Sequence, residues 1–182
     1  MRSTPKNGLL IFSGQTGCGK TEILKRFLIR YLRAVDSTRK PPHLLTFEDP
    51  IEAPLWSLEQ VMMWKDQMEP LPIDYTPRAK GKDANTLGDV LSAALRQTPA
   101  AVYVGETRAL SDWKELLDFA ATGHLVVTTS HAGTLTECMD SLLRACDASS
   151  PSGRAEVASR VLGIVHLKTH VVENGRGTQS VK

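Results

Sequence analysis

Gly14-Gln15-Thr16-Gly17-Cys18-Gly19-Lys20-Thr21 fills the pattern G-x-x-x-x-G-K-S/T and follows directly on the apolar run Leu9-Leu10-Ile11-Phe12. A loop that wraps a polyphosphate must turn several backbone N–H groups inward, and side chains at Gly14, Gly17 and Gly19 would obstruct that curl. Lys20 then brings a positive charge to the β- and γ-phosphates, and the Thr21 hydroxyl is placed to ligate Mg²⁺. A helix opening at Lys20 adds free N–H groups and its dipole to the same anion site. Glu22 to Leu32 carries apolar residues at helical spacing, so strand, loop and helix stand in the required order. The loop from Gly14 through Gln15, Thr16, Gly17, Cys18, Gly19 and Lys20 to Thr21 is the candidate nucleotide-binding set. A Gly-rich turn that binds nothing is the plain alternative, and the flanking elements argue against it.

At 182 residues the chain has the size of one α/β domain. A charged fraction of 23% and a net charge of +2 give no general argument for nucleic acid or membrane, and no direct nucleic-acid binding is expected. No apolar run approaches the roughly 18 to 20 residues needed to span a bilayer, and Met1 to Lys6 lacks the apolar core of a signal peptide. These features lead to an expectation of a cytoplasmic protein. Cys18, Cys138 and Cys146 are odd in number and show no metal spacing. Cys138 and Cys146 are expected to pack as small apolar residues, whereas Cys18, inside the phosphate loop, is expected to face a positive site that favours thiolate.

Along the rest of the chain, strand and helix patterns alternate. His43 to Phe47 reads as a second buried strand, with Glu48, Asp49 and Glu52 at its carboxyl end. From Ala53 to Asp83 the pattern deteriorates, suggesting a short helix and then extended chain. Thr86 is placed to cap a helix running to Gln97, with Asp89 as a capping-box partner. Ala101 to Val104 is the next strand and ends in Gly105-Glu106. Ser111 is expected to cap a helix that buries Leu116, Leu117, Phe119 and Ala120, and Leu125 to Thr129 is a strand leading into Ser130-His131. Helices follow from about Thr134 to Cys146 and from about Arg154 to Gly163, then a strand from His166 to Val172. Asn174-Gly175-Arg176-Gly177 is a hairpin signal. The alternation implies an α/β fold, a mostly parallel sheet with helices on both faces.

In such a sheet, ligands sit at the carboxyl ends of the strands. Glu106 is the candidate for polarising an attacking water, against a plain surface carboxylate at a strand end. Glu48, Asp49 and Glu52 are candidates for holding Mg²⁺ or orienting the nucleophile, against a structural acidic turn. His131 is placed to sense a γ-phosphate or to cap the next helix. His124 lies at the other end of its strand and reads as structural. Arg96 and Arg78 are candidates for meeting phosphate charge, in their own subunit or across a boundary. Lys80 and Lys82 read as a solvated basic loop.

The ordered set GLLIFSGQTGCGKT, HLLTFEDPIE, RAKGKD, LSAALRQTPAAVYVGETR and TGHLVVTTSHAGT resembles the secretion and pilus-motor ATPases of the type II and type IV systems, most of all their retraction branch. The resemblance runs from Gly8 to about Gly177. It implies that Gly14 to Thr21 match the Walker A loop, Glu48 to Glu52 the acidic box, Glu106 the catalytic glutamate of an atypical Walker B strand, and Gly123 to His131 the histidine box. It also implies a RecA-like P-loop NTPase core, ATP and Mg²⁺ as ligands, and hexameric rings. Such rings work with platform proteins at the inner membrane to drive pilus assembly, retraction or export. The chain reads as a single RecA-like domain, without the family's N-terminal PAS-like domain and helical C-terminal subdomain. Ala109 stands where an acidic residue usually follows the Glu-x-Arg segment, and Ala53 to Tyr75 is unlike the family. A small-molecule P-loop kinase and a nucleotide-binding module with little turnover are the competing functions.

Overall fold

The apolar runs alternate in side-chain direction, and that alternation divides the core into two layers. The computed structural model describes residues 7–35, 41–51, 73–147, 149–174 and 177–181. Its elements are β1 (Gly8–Gly14), α1 (Lys20–Ala34), β2 (His43–Glu48), β3 (Asp74–Ala79), α2 (Leu87–Gln97), β4 (Ala101–Val104), α3 (Leu110–Ala120), β5 (Leu125–His131), α4 (Leu135–Ala145), α5 (Pro151–Arg160), β6 (Val161–Leu167), β7 (His170–Asn174) and β8 (Gly177–Val181). Six strands form one sheet in the order β3-β2-β4-β5-β1-β6. Every pairing in it is parallel.

Leu9, Ile11, Leu45, Phe47, Val102, Val104 and Val126 face one side, where α2, α3, α4 and α5 cover them with Val90, Trp113, Leu116, Leu142 and Val157. Phe12, Leu44, Ala101, Tyr103, Leu125 and Val127 face the other, where α1 supplies Leu24, Leu28, Ile29 and Leu32. Period-two strands thus carry two apolar faces at once, as a parallel sheet covered on both sides requires.

Several elements depart from the sequence expectations. The extended chain before Lys80 is a strand, β3, paired in parallel with β2 at the sheet edge. Pro77 is tolerated there because an edge strand bonds on one side only. Helix α3 starts one residue before Ser111: Ala109 is its N-cap, and the Asp112 carboxylate accepts the Ala109 N–H at 3.3 Å. Helix α5 begins at Pro151, capped by Ser150, and stops at Arg160. The run Val161-Leu162-Gly163-Ile164-Val165 has no polar face for a helix to show solvent, and it enters the sheet as β6 beside β1. The strand expected over His166 to Val172 is accordingly divided between β6 and β7. β7 pairs antiparallel with β8, with Asn174 opposite Gly177, as the hairpin signal foretold. The helix expected after Ala53 falls outside the described residues.

The capping box of α2 is present in full, Thr86 Oγ1 accepting from Asp89 N at 3.2 Å while the Asp89 carboxylate accepts from Thr86 N at 3.3 Å. Thr86→Ala is expected to destabilise the chain by about 1 kcal/mol. Urea unfolding checks this, with an unchanged m-value and a lowered midpoint as the expected pattern.

Candidate nucleotide site

The phosphate loop is shaped by its glycines. At Gly14, φ is 148°, and a Cβ there would lie 2.5 Å from the Leu167 carbonyl oxygen and 2.8 Å from Cys18 Sγ. Gly17 and Gly19 take φ of 78° and 88°, which a side chain would oppose. Gly19 is the N-cap of α1 and brings no side-chain acceptor, so the helix's first N–H groups are not claimed by a capping side chain. Lys20 opens α1, is buried, and donates to the carbonyls of Gly14 and Gln15 at 2.8 Å each. Thr21 follows, half-buried. Cys18 is only 4% exposed and its thiol sits beneath Gly14, so the expectation that it faces the phosphates is not met.

At the adjoining strand ends, the residues after β4 are laced to β5. Thr107 N–H donates to the Thr129 carbonyl at 2.9 Å, the Thr107 and Thr128 hydroxyls lie 2.7 Å apart, and Thr129 Oγ1 donates to the Gly105 carbonyl at 2.5 Å. This fixes Glu106 beside His131. Glu106 Oε1 lies 3.0 Å from His131 Nε2, and His131 Nδ1 lies 3.3 Å from Thr16 Oγ1 of the loop. With Nε2–H donating to the carboxylate, a neutral imidazole leaves Nδ1 as acceptor and the Thr16 hydroxyl as donor. Glu106 Oε2 receives Arg108 Nε at 2.8 Å and Nη2 at 2.6 Å. The Arg108 guanidinium is pushed up above its usual range, first by that hydrogen bond and the Glu106 charge, with Asp49 adding a smaller pull. Thr16, Glu106, Arg108, Trp113, His131 and Arg144 line an open cleft of about 640 Å³.

The acidic turn divides. Glu48 is 3% exposed and paired with the buried Lys25 at 2.9 Å, so the structure does not offer it as the expected metal ligand or nucleophile-orienting group. The period-two alternation that buries Leu44 under α1 turns Glu48 to the same side. Asp49, in contrast, is 61% exposed and 3.9 Å from Lys80. Glu52 lies outside the described residues. Arg96 is exposed in the last turn of α2, which leads into the amino end of β4; Ala100 N–H donates there to the carbonyl of His43, the first residue of β2. A helix that precedes a parallel strand ends at the strands' amino edge, whereas the phosphate loop lies at the carboxyl edge. Arg96 is therefore not brought to the site of its own chain. Arg78 is half-buried in β3, two strands beyond β4 from β5. His124 also sits at the amino edge, 4.9 Å from the Phe119 ring and 2.8 Å from Thr122 Oγ1, with its pKa lowered by burial.

Among the described residues no group of three His, Cys, Asp or Glu converges on a metal-sized site. No helix among them is long and apolar enough to cross a membrane. Sequence reasoning did not single out Arg108 or Lys25. The signal for Arg108 was its i+2 spacing from Glu106, which puts both on one side of an extended segment. For Lys25 it was a position among Leu24, Leu28, Ile29 and Leu32.

Comparison with known proteins agrees with this geometry. The sequence model of the family described as Type II/IV secretion system protein matches residues 3–178. The type IV pilus ATPase PilU of Pseudomonas aeruginosa is 32% identical over 138 residues, covering 76% of this chain and 31% of PilU. The chain thus spans less than half the length of that relative. In three dimensions it is similar to the crystallised pilus retraction motor PilT with bound ADP, at a TM-score of 0.68 and 28% identity over 97% of this chain and 46% of that one. It also shares the fold of the Legionella pneumophila ATPase DotB, at a TM-score of 0.69 and 24% identity over 93% of this chain and 42% of DotB. The α/β architecture is therefore the RecA-like core of these ATPases.

Lys20→Ala should remove MgATP binding, because the loop loses the cation that its own carbonyls hold in place. Calorimetric titration checks this, the expected result being no measurable heat of binding under conditions where the parent saturates.

Proposed function

The chain belongs to the type II/IV secretion system protein family, and we propose on that premise that its loop binds MgATP and that Glu106 directs hydrolysis of the γ-phosphate in a motor subunit. The continuous chain Thr16–His131–Glu106 carries this reading, since it joins the phosphate-binding loop to a carboxylate able to polarise water.

In this reading the backbone of residues 14–21 cradles the β- and γ-phosphates. Lys20 exchanges its two loop carbonyls for phosphate oxygens, so a buried ammonium passes from one set of acceptors to another without being left unpaired. The Thr21 hydroxyl would hold Mg²⁺, with Asp49 near enough to the cleft's charges to act through water. When bound, that ion supplies neutralisation of phosphate charge. Glu106 Oε1 has one contact to His131 and a second lone-pair direction for a water, while Arg108 occupies Oε2. His131 couples the state of the loop at Thr16 to that carboxylate.

The transition state of such hydrolysis needs cationic help, commonly arginine supplied by another subunit and worth roughly 10³ to 10⁵ in rate. Arg96 does not reach its own site, so its place in this scheme is a subunit boundary. We accordingly propose a homo-oligomeric, ring-forming motor, slow as a monomer, that works with platform proteins at the inner membrane in pilus retraction, assembly or export. A small-molecule kinase is not favoured: the basic run from Arg78 to Lys82 lies before β4 rather than after β5, and Ser130 and His131 lead straight into the cap of α4.

Glu106→Gln should keep MgATP affinity within about threefold while lowering turnover by about 10² or more, because the amide keeps shape but loses the charge that orients water. Phosphate release by the assembled form measures it. Equal turnover in variant and parent would remove Glu106 from the reaction.

A further inference from the structure

A lysine on the sheet-facing side of α1 is out of place by pattern. Lys25 sits among Leu24, Leu28, Ile29 and Leu32, where packing alone calls for an apolar side chain, and it is 2% exposed. Its Nζ donates to Glu48 Oε2 at 2.9 Å and lies 5.5 Å from the centroid of the buried Tyr103 ring. A buried ion pair adds little stability over a well-packed apolar pair, but it is directional and sensitive to length. Its position shows what such a directional link joins.

On one side the link enters α1, five residues after Lys20 in the helix that begins in the phosphate loop. On the other it holds Glu48, the last residue of β2 and the first of the acidic turn. Gly105 is pressed against Glu48: a Cβ at 105 would lie 3.2 Å from Glu48 Cγ and 3.3 Å from Glu48 Cα. The next residue is Glu106. We propose that Lys25 is a positioning residue: its pairing with Glu48 makes the phosphate-loop helix, the acidic turn and the Gly105–Glu106 segment one mechanical unit. The same pairing withholds the Glu48 carboxylate from metal and phosphate. The phosphate loop then reaches Glu106 by two routes, one through Thr16 and His131 and the other through Lys25 and Glu48. This rests on the nucleotide-binding reading above.

The test replaces the pair by an apolar one, Lys25→Met with Glu48→Met in the full chain, so that no buried charge is left alone. Hydrogen exchange of residues 45–51 and 104–108 is read by mass spectrometry with and without MgADP, beside the affinity for MgADP. The parent should gain protection in both segments on binding. The double variant should bind within about threefold of the parent yet lose most of that gain, and its kcat should fall about tenfold with KM little changed. Lys25→Arg, which keeps the charge, should restore part of both. A double variant that binds and transmits protection as the parent does would overturn the inference alone. A parent that binds no nucleotide would overturn the functional reading and the inference with it.

Discussion

His131 touches two partners that the sheet keeps apart. The order β4-β5-β1 leaves one strand between the loop that follows β1 and the carboxylate that follows β4. A side chain at the end of that middle strand, with a hydrogen-bonding atom on each side of a rigid ring, is the economical way to join them. Nδ1 at 3.3 Å from Thr16 and Nε2 at 3.0 Å from Glu106 are that joint. The threonine lacing of Thr107, Thr128 and Thr129 fixes the backbone on which it depends. If His131 stood one residue earlier, strand alternation would turn it to the opposite face of the sheet.

The site is also a study in how buried cations are held. Lys20 rests on two carbonyls and Lys25 on a carboxylate and an aromatic face. Neither ammonium is left without acceptors, because an unpaired buried charge costs far more than the packing it displaces. The acceptors differ in kind, and the roles follow. Neutral carbonyls are weaker acceptors for a cation than a carboxylate, so the proposed function has Lys20 exchange them for phosphate, whereas the full charge of Glu48 keeps Lys25 where it is.

Much of this was legible in the sequence where local chemistry decides structure. The glycine spacing of residues 14–19, the Thr86–Asp89 capping box and the apolar strand runs each specify backbone geometry within a few residues. Position across the sheet was not legible in the same way. Arg96 is close in sequence to the Glu106 strand, but chain proximity does not say that a helix delivers its last turn to the wrong edge. Glu48 reads as one carboxylate among three until the parity of β2 and the face of α1 set it opposite Lys25. β3 was hidden because Pro77 argues against a strand unless the strand is known to lie at an edge. The start of α3 was misplaced because Ser111 is the better capping residue by type, yet Asp112 supplies the carboxylate one turn in and Ala109 needs no acceptor of its own.

The joint at His131 can be observed without relying on turnover. Nitrogen-15 NMR of histidine side chains, with His131 assigned by loss of its signals in His131→Asn, reports the tautomer and hydrogen bonding of each ring nitrogen among five histidines. A non-hydrolysable ATP analogue with Mg²⁺ should move both the Nδ1 and Nε2 resonances of His131, and MgADP should move them less. Resonances that stay where they were while the analogue saturates the loop would contradict the account, because the phosphate site and Glu106 would then not be joined through this ring.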